Sequence, residues 1–141
     1  MRPELRKLAR LRRLEKVRAL AKQHAAQQAA AAEGTLAHLK SLAERTRAMG
    51  DVYRDHAGLS DGQALRQQIQ FTQGLAGITA ATRRDALSAQ AQADLRQQEL
   101  AMAERRRAAV ETRAQDSARA LAQRQSNPAS AARKRLGTGL E

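Results

Sequence analysis

The chain has no cysteine and no tryptophan, and only one phenylalanine, one tyrosine and two prolines among 141 residues. Without cysteine there is no disulfide, no thiol nucleophile and no cysteine-ligated zinc. Apolar residues make up 42% of the chain, but most of them are alanine. Little area per residue is then available to offset the entropy of ordering a compact globule, and a deep globular core is not expected. No apolar run is long enough to cross a membrane. β-branched and aromatic residues are too few for strands, whereas abundant Ala, Gln, Arg, Leu and Glu is the composition of long helices.

Turn signals are equally scarce. Between Pro3 and Pro128 the one strong signal is Ala57-Gly58-Leu59-Ser60-Asp61-Gly62-Gln63. Ser60 followed three residues later by Gln63 is a capping-box pattern, and Gly58 supplies the backbone freedom that ends the helix before it. Gly34 and Gly50 are tolerable inside a helix, and Ser126-Asn127-Pro128 stops the second one. The sequence therefore predicts an all-α protein, a long antiparallel two-helix coiled-coil hairpin. It would comprise a helix over 5–56, a turn at 57–60 and a helix over 61–125, with a flexible basic tail at 126–141. The Arg-rich, Leu-periodic start could pass for an organelle transit peptide, but it carries Glu4 and Glu15 and lacks serine, so it reads as mature helix.

A seam of alternating three- and four-residue steps can be drawn on the first helix through Leu14, Val17, Ala21, His24, Gln28, Ala31, Thr35, Leu39, Leu42, Thr46, Met49 and Tyr53. On the second it runs through Ala64, Gln68, Phe71, Leu75, Ile78, Thr82, Ala86, Ala89, Ala93, Arg96, Leu100 and Ala103. Each has one four-residue stutter. A register with His56 opposite Asp61 aligns the two stutters and sets Leu39 against Ile78, Leu42 against Leu75, Thr46 against Phe71 and Val17 against Leu100. The second helix also supports a rival stripe of Leu65, Thr72, Leu75 and Thr79, and a register shift of several residues is compatible with the pattern. Between the apolar ends, Ala21 to Ala32 would face Ala86 to Arg96 across a waist almost without large side chains. That middle is expected to open or bend, giving a flexible rod.

Nothing in the chain points to catalysis. His24, His38 and His56 have no His or carboxylate four residues on to complete a metal face. Ser41, Ser60, Ser88 and Ser117 have no base motif around them, and Gly58 to Gly62 is not a phosphate loop. The expectation is a protein that is not an enzyme, with no catalytic, metal or cofactor-binding residue and no cofactor.

Charge is more informative. Twenty-six Lys and Arg against fourteen Asp and Glu give a formal +12, and the excess lies at both ends of the sequence. Arg2, Arg6, Lys7, Arg10, Arg12, Arg13, Lys16 and Arg18 occupy one end. Arg105, Arg106, Arg107, Arg113, Arg119 and Arg124, with Arg133, Lys134 and Arg135, occupy the other. A hairpin joins the two into one basic end, suited to an acidic ring, a cleft or a nucleic acid, though no base-stacking aromatics are interleaved. At the opposite end, Leu39, Leu42, Met49, Val52, Tyr53, Leu65, Ile69, Phe71, Leu75 and Ile78 are too many for a two-helix contact to hide. They clamp the hairpin, form a docking patch or do both, and self-association through them is the reading of a scaffold.

A basic, cysteine-free chain of this length, with Val52-Tyr53-Arg54 before a central turn and Gln70-Phe71-Thr72-Gln73-Gly74-Leu75 after it, resembles the FliJ family of soluble stalk proteins of flagellar type III export, and their YscO-type injectisome relatives. The likeness covers most of Leu5 to Gln125. It implies a stalk and chaperone component that bridges the export ATPase hexamer and the cytoplasmic domain of the membrane export gate, with links to export chaperones. Such a protein would lie in the cytoplasm, peripheral to the inner membrane at the flagellar base. By matched position, the resemblance assigns gate binding to Leu42, Thr46, Met49, Tyr53, Phe71, Leu75, Ile78 and Thr82. ATPase binding falls to the basic end, at Arg6, Lys7, Arg10, Arg13, Arg105, Arg106, Arg107 and Arg113. Thr46, Met49 and Thr82 stand where the family is expected to have larger or aromatic residues.

Overall fold

A computed structural model describes residues 2–55 and 61–127 of the chain. It consists of two long helices, α1 (Pro3–Asp55) and α2 (Gly62–Ser126), packed against each other as a hairpin. The expected turn at 57–60, with Gly58 and the Ser60 cap, lies outside the described residues, as do His56 and the tail from Pro128 onward.

Both helix starts follow from local chemistry. Pro3 opens α1, where its missing N–H costs nothing, and the Arg2 carbonyl accepts from the amides of Leu5 at 3.1 Å and Arg6 at 3.4 Å. At α2 the Asp61 carboxylate accepts from the Ala64 amide at 2.7 Å. Asp61 is thus the N-cap, one residue later than the serine that the capping-box pattern singled out.

Contacts divide the hairpin into two compact units. Unit 1 joins the N-terminal part of α1, up to His24, to α2 from Ala101 onward, and unit 2 comprises Ala25–Leu100. Each has its own seam.

In unit 2, Gly50 lies against Leu75, so that a Cβ placed on the glycine would sit 3.9 Å from the Leu75 Cβ. The antiparallel step from this pair sets Thr46 level with Thr79, Ala43 with Thr82, Leu36 with Ala89, Ala32 with Ala93 and Ala29 with Arg96. The buried residues follow that order. Ala29, Leu36, Ala43, Thr46 and Gly50 on α1 and Leu75, Thr79, Thr82 and Ala93 on α2 are all buried. The three buried threonines satisfy their hydroxyls within their own helix, donating to the carbonyls of Leu42, Leu75 and Ile78 at 2.8–2.9 Å.

This seam alternates three and four without a break from Ala25 to Gly50, so neither stutter exists. The expected seam was displaced by one residue along Gln28, Ala31 and Thr35, and again at Leu42, Met49, Phe71 and Ile78. The expected register fails with it, because Leu75 faces Gly50 and not Leu42. On α2 the rival stripe was the better guide at Thr72 and Thr79, while Leu75, which both shared, is on the seam. The reason is steric: alanine, glycine and threonine on the contact line let two helices approach closely, while large side chains sit beside the line. The waist expected to be loosely held contains Ala29, 2% exposed, and Ala93, fully buried.

In unit 1, Glu4 pairs with Arg124 across the hairpin, and Leu11 shares a groove with Arg113, Ser117 and Leu121. The seam runs through Leu8, Leu11, Glu15, Arg18 and Lys22 on α1 and Ala103, Arg107, Val110, Ala114, Ser117 and Leu121 on α2, all buried or half-buried. Leu14 and Val17, expected in this seam, lie one residue outside it, 39% and 60% exposed.

Candidate partner-binding surfaces

The two seams define two flanks, each made by both helices. One flank carries the residues immediately preceding the seam positions in sequence, here called the leading flank, and the other carries those immediately following, the trailing flank.

The trailing flank of unit 2 carries a ladder of ion pairs along α1. Arg47 donates to Glu44 at 2.6 Å and to Asp51 at 3.4 Å, and Arg54 donates to Asp51 at 3.1 Å. The hydrogen bond and charge of Arg47 hold the Glu44 carboxyl below its ordinary range, and Glu44 in turn raises Arg47. All these groups are solvated, so the ladder orders side chains more than it stabilises the fold.

The leading flank of unit 2 is apolar. Leu42 and Met49 on α1 and Phe71 and Ile78 on α2 are 36–53% exposed. Tyr53, three residues beyond Gly50, stacks edge-on against Phe71 with ring centroids 4.6 Å apart, and its carbonyl accepts from the Gln68 side chain. Of the eight residues that the resemblance assigns to gate binding, Leu42, Met49, Tyr53, Phe71 and Ile78 are exposed on this surface. Leu75 is not, being buried under Gly50. Thr46 and Thr82, the other two positions that the resemblance matched, are buried as well, so their small size reflects seam packing. Leu65 and Ile69, near the start of α2, are also exposed.

Charge separates sharply between the units. Residues 2–24 and 101–127 hold fifteen Lys and Arg against five Asp and Glu, a formal +10, whereas residues 25–55 and 61–100 hold eight of each and are neutral. Arg6, Lys7, Arg10, Arg13, Arg105, Arg106 and Arg113 are exposed on unit 1. Arg107 differs from them, since it is a half-buried seam residue, as is Arg18 on α1. The Nε atoms of both are buried without a hydrogen-bond partner. A seam arginine need not be left so: Arg96 in unit 2 donates to Gln28 at 3.1 Å and to Glu99 at 3.0 Å.

Exposed Met102 on α2, absent from the sequence-based candidates, lies on the leading flank of unit 1. Its signal was its position one residue before Ala103, which becomes meaningful only once the seam is known. Among the described residues, no group of three His, Cys, Asp or Glu is placed to hold a metal ion, and no helix is long and apolar enough to cross a membrane. The chain matches no known protein family, no curated protein and no solved structure.

Proposed function

We propose that the protein is a non-enzymatic stalk and chaperone component of a type III export apparatus, joining the export ATPase ring through unit 1 to the cytoplasmic domain of the export gate through unit 2. The observation that carries this reading is the segregation of surface chemistry: a unit of +10 and a neutral unit with an exposed apolar stripe. A bridge between two unlike partners needs two unlike surfaces, and charge steers one encounter while apolar area holds the other. The working place would be cytoplasmic, at the inner membrane below the flagellar base, reached through partners.

The ATPase contact falls on Arg6, Lys7, Arg10, Arg13, Arg105, Arg106 and Arg113, with Arg107 supporting them from the seam. The gate contact falls on Leu42, Met49, Tyr53, Phe71 and Ile78. ATP hydrolysis by the hexameric export ATPase of the same cell, with and without equimolar protein, tests this reading. Stimulation that disappears when Arg105, Arg106 and Arg113 become Ala, with helicity unchanged, is the expected result. No stimulation, combined with salt-sensitive binding to RNA or DNA, would replace the stalk with a nucleic-acid-binding coiled coil.

A further inference from the structure

The arginines of unit 1 are not spread evenly around it. On the leading flank, α1 presents Lys7, Arg10, Leu14, Val17 and Ala21, and α2 presents Met102, Arg106, Ala109, Arg113, Asp116 and Ala120. Part of this flank is already a groove, lined by Glu4, Lys7 and Leu11 from one helix and Arg113, Asp116, Ala120 and Arg124 from the other, with Glu4 paired to Arg124. Beyond it, Leu14, Val17 and Met102 are 39%, 60% and 49% exposed. The trailing flank of the same unit carries Glu104 and Glu111 on α2 and Arg12 and Lys16 on α1, equal numbers of each sign. The leading flank joins a net excess of cations, Lys7, Arg10, Arg106 and Arg113 against Asp116, to exposed aliphatic side chains.

We infer that the leading flank of unit 1 seats an amphipathic helix of a partner protein, with Leu-type residues facing Leu14, Val17 and Met102 and with Asp or Glu along both of its edges. The inference rests on the reading of unit 1 as the end that docks on an acidic protein, and it names the form that the partner takes. A third helix laid beside two others needs a line of apolar anchors about one helix wide, small residues that permit close approach, and polar edges. The flank offers Leu14, Val17 and Met102 as anchors, Ala21, Ala109 and Ala120 for approach, and Arg10, Arg106 and Arg113 as edges that can pair with carboxylates bidentately. A lipid surface would want a broader apolar face with aromatic residues at its border, and unit 1 has no aromatic among residues 2–24 and 101–127. Phosphate chains would leave the exposed aliphatic line unused.

The test is fluorescence anisotropy with a labelled synthetic peptide of about four heptads, Leu on its seam positions and Glu on its edges. Poly-glutamate of equal charge and vesicles of phosphatidylserine and phosphatidylcholine serve as the other probes. At roughly 0.5 M salt, where exposed charge attraction is screened, the amphipathic peptide is expected to bind about 10-fold or more tightly than poly-glutamate. Val17→Glu is expected to weaken it by about the same factor at unchanged circular dichroism. Met102→Ala, which leaves charge alone, should also weaken the peptide and spare poly-glutamate. Equal binding of peptide and poly-glutamate, both lost in salt, would overturn the helix seat while leaving unit 1 as a charged docking end. Vesicle binding without peptide binding would overturn it in favour of a lipid surface.

Discussion

Tyr53 and Phe71, the chain's only aromatic residues, meet edge-on at 4.6 Å between ring centroids, and each remains 45% exposed. They clamp the hairpin and still present a surface. An edge-to-face pair is worth about 0.5–1.5 kcal/mol beyond area burial. Phe71→Ala is therefore expected to lower stability by about 1 kcal/mol, visible as a small shift in the urea midpoint, while impairing the proposed gate contact far more. A large loss of helicity in Phe71→Ala would assign the residue to the fold alone.

Gly50 is a seam position with room to spare. A Cβ there would meet Arg54 Nη2 at 3.6 Å and Leu75 Cβ at 3.9 Å, both ordinary contacts. Gly50→Ala should stabilise the protein by about 0.5–1 kcal/mol through helix propensity, whereas Gly50→Leu should destabilise it by wedging the helices apart. Thermal unfolding of the two variants checks the sign of each.

The N-cap of α2 is open to a similar test. Asp61→Ala removes the acceptor of the Ala64 amide and is expected to cost about 1 kcal/mol. Amide exchange should accelerate in the first turn of α2. Ser60→Ala would have the larger effect only if the serine were the cap.

The Glu44–Arg47 pair gives a pH dependence with a definite sign. Because the Glu44 carboxyl is lowered in the folded chain, the stabilisation is complete above its unfolded pKa and fades as pH falls through the lower, folded value. The carboxylate is fully solvated, so the contribution is small. Glu44→Gln should lower stability slightly at neutral pH and converge with the parent chain in strong acid, flattening the acid limb, with circular dichroism from neutral to strongly acidic pH as the readout.

Arg18 and Arg107 are both half-buried in the seam of unit 1, each with a buried, unpartnered Nε. Such an atom costs about 1–3 kcal/mol of desolvation. Replacing both with Leu should raise the thermal midpoint and slow amide exchange in unit 1. A fall in stability would mean that the arginines find anionic partners in solution.

Much of the architecture was legible in the sequence. Two proline punctuations, one glycine-rich break and an absence of strand formers leave little besides a helical hairpin, and the clustering of charge at both chain ends gives a basic end. The seam was legible only in part. Large residues at Leu14, Val17, Leu42 and Met49 draw the eye, and they do recur at heptad spacing, but they recur on the leading flank. Ala29, Ala43, Gly50 and Ala93 carry the contact, and small side chains in an alanine-rich helix look alike in every phase. The same displacement explains the proposed gate stripe: five of its eight residues are exposed beside the seam, and Thr46, Leu75 and Thr82 are buried because they lie on it.

The register is the claim on which both surfaces depend, and the natural absence of cysteine makes it directly measurable. The 3.9 Å between Cβ positions at Gly50 and Leu75 falls within the roughly 3.5–4.5 Å that a disulfide requires. A chain carrying Gly50→Cys and Leu75→Cys should oxidise quickly to an intramolecular crosslink, while Leu42→Cys with Leu75→Cys should not. Efficient closure of the second pair and failure of the first would return Leu42 and its neighbours to the interior, and the exposed stripe would be lost with them.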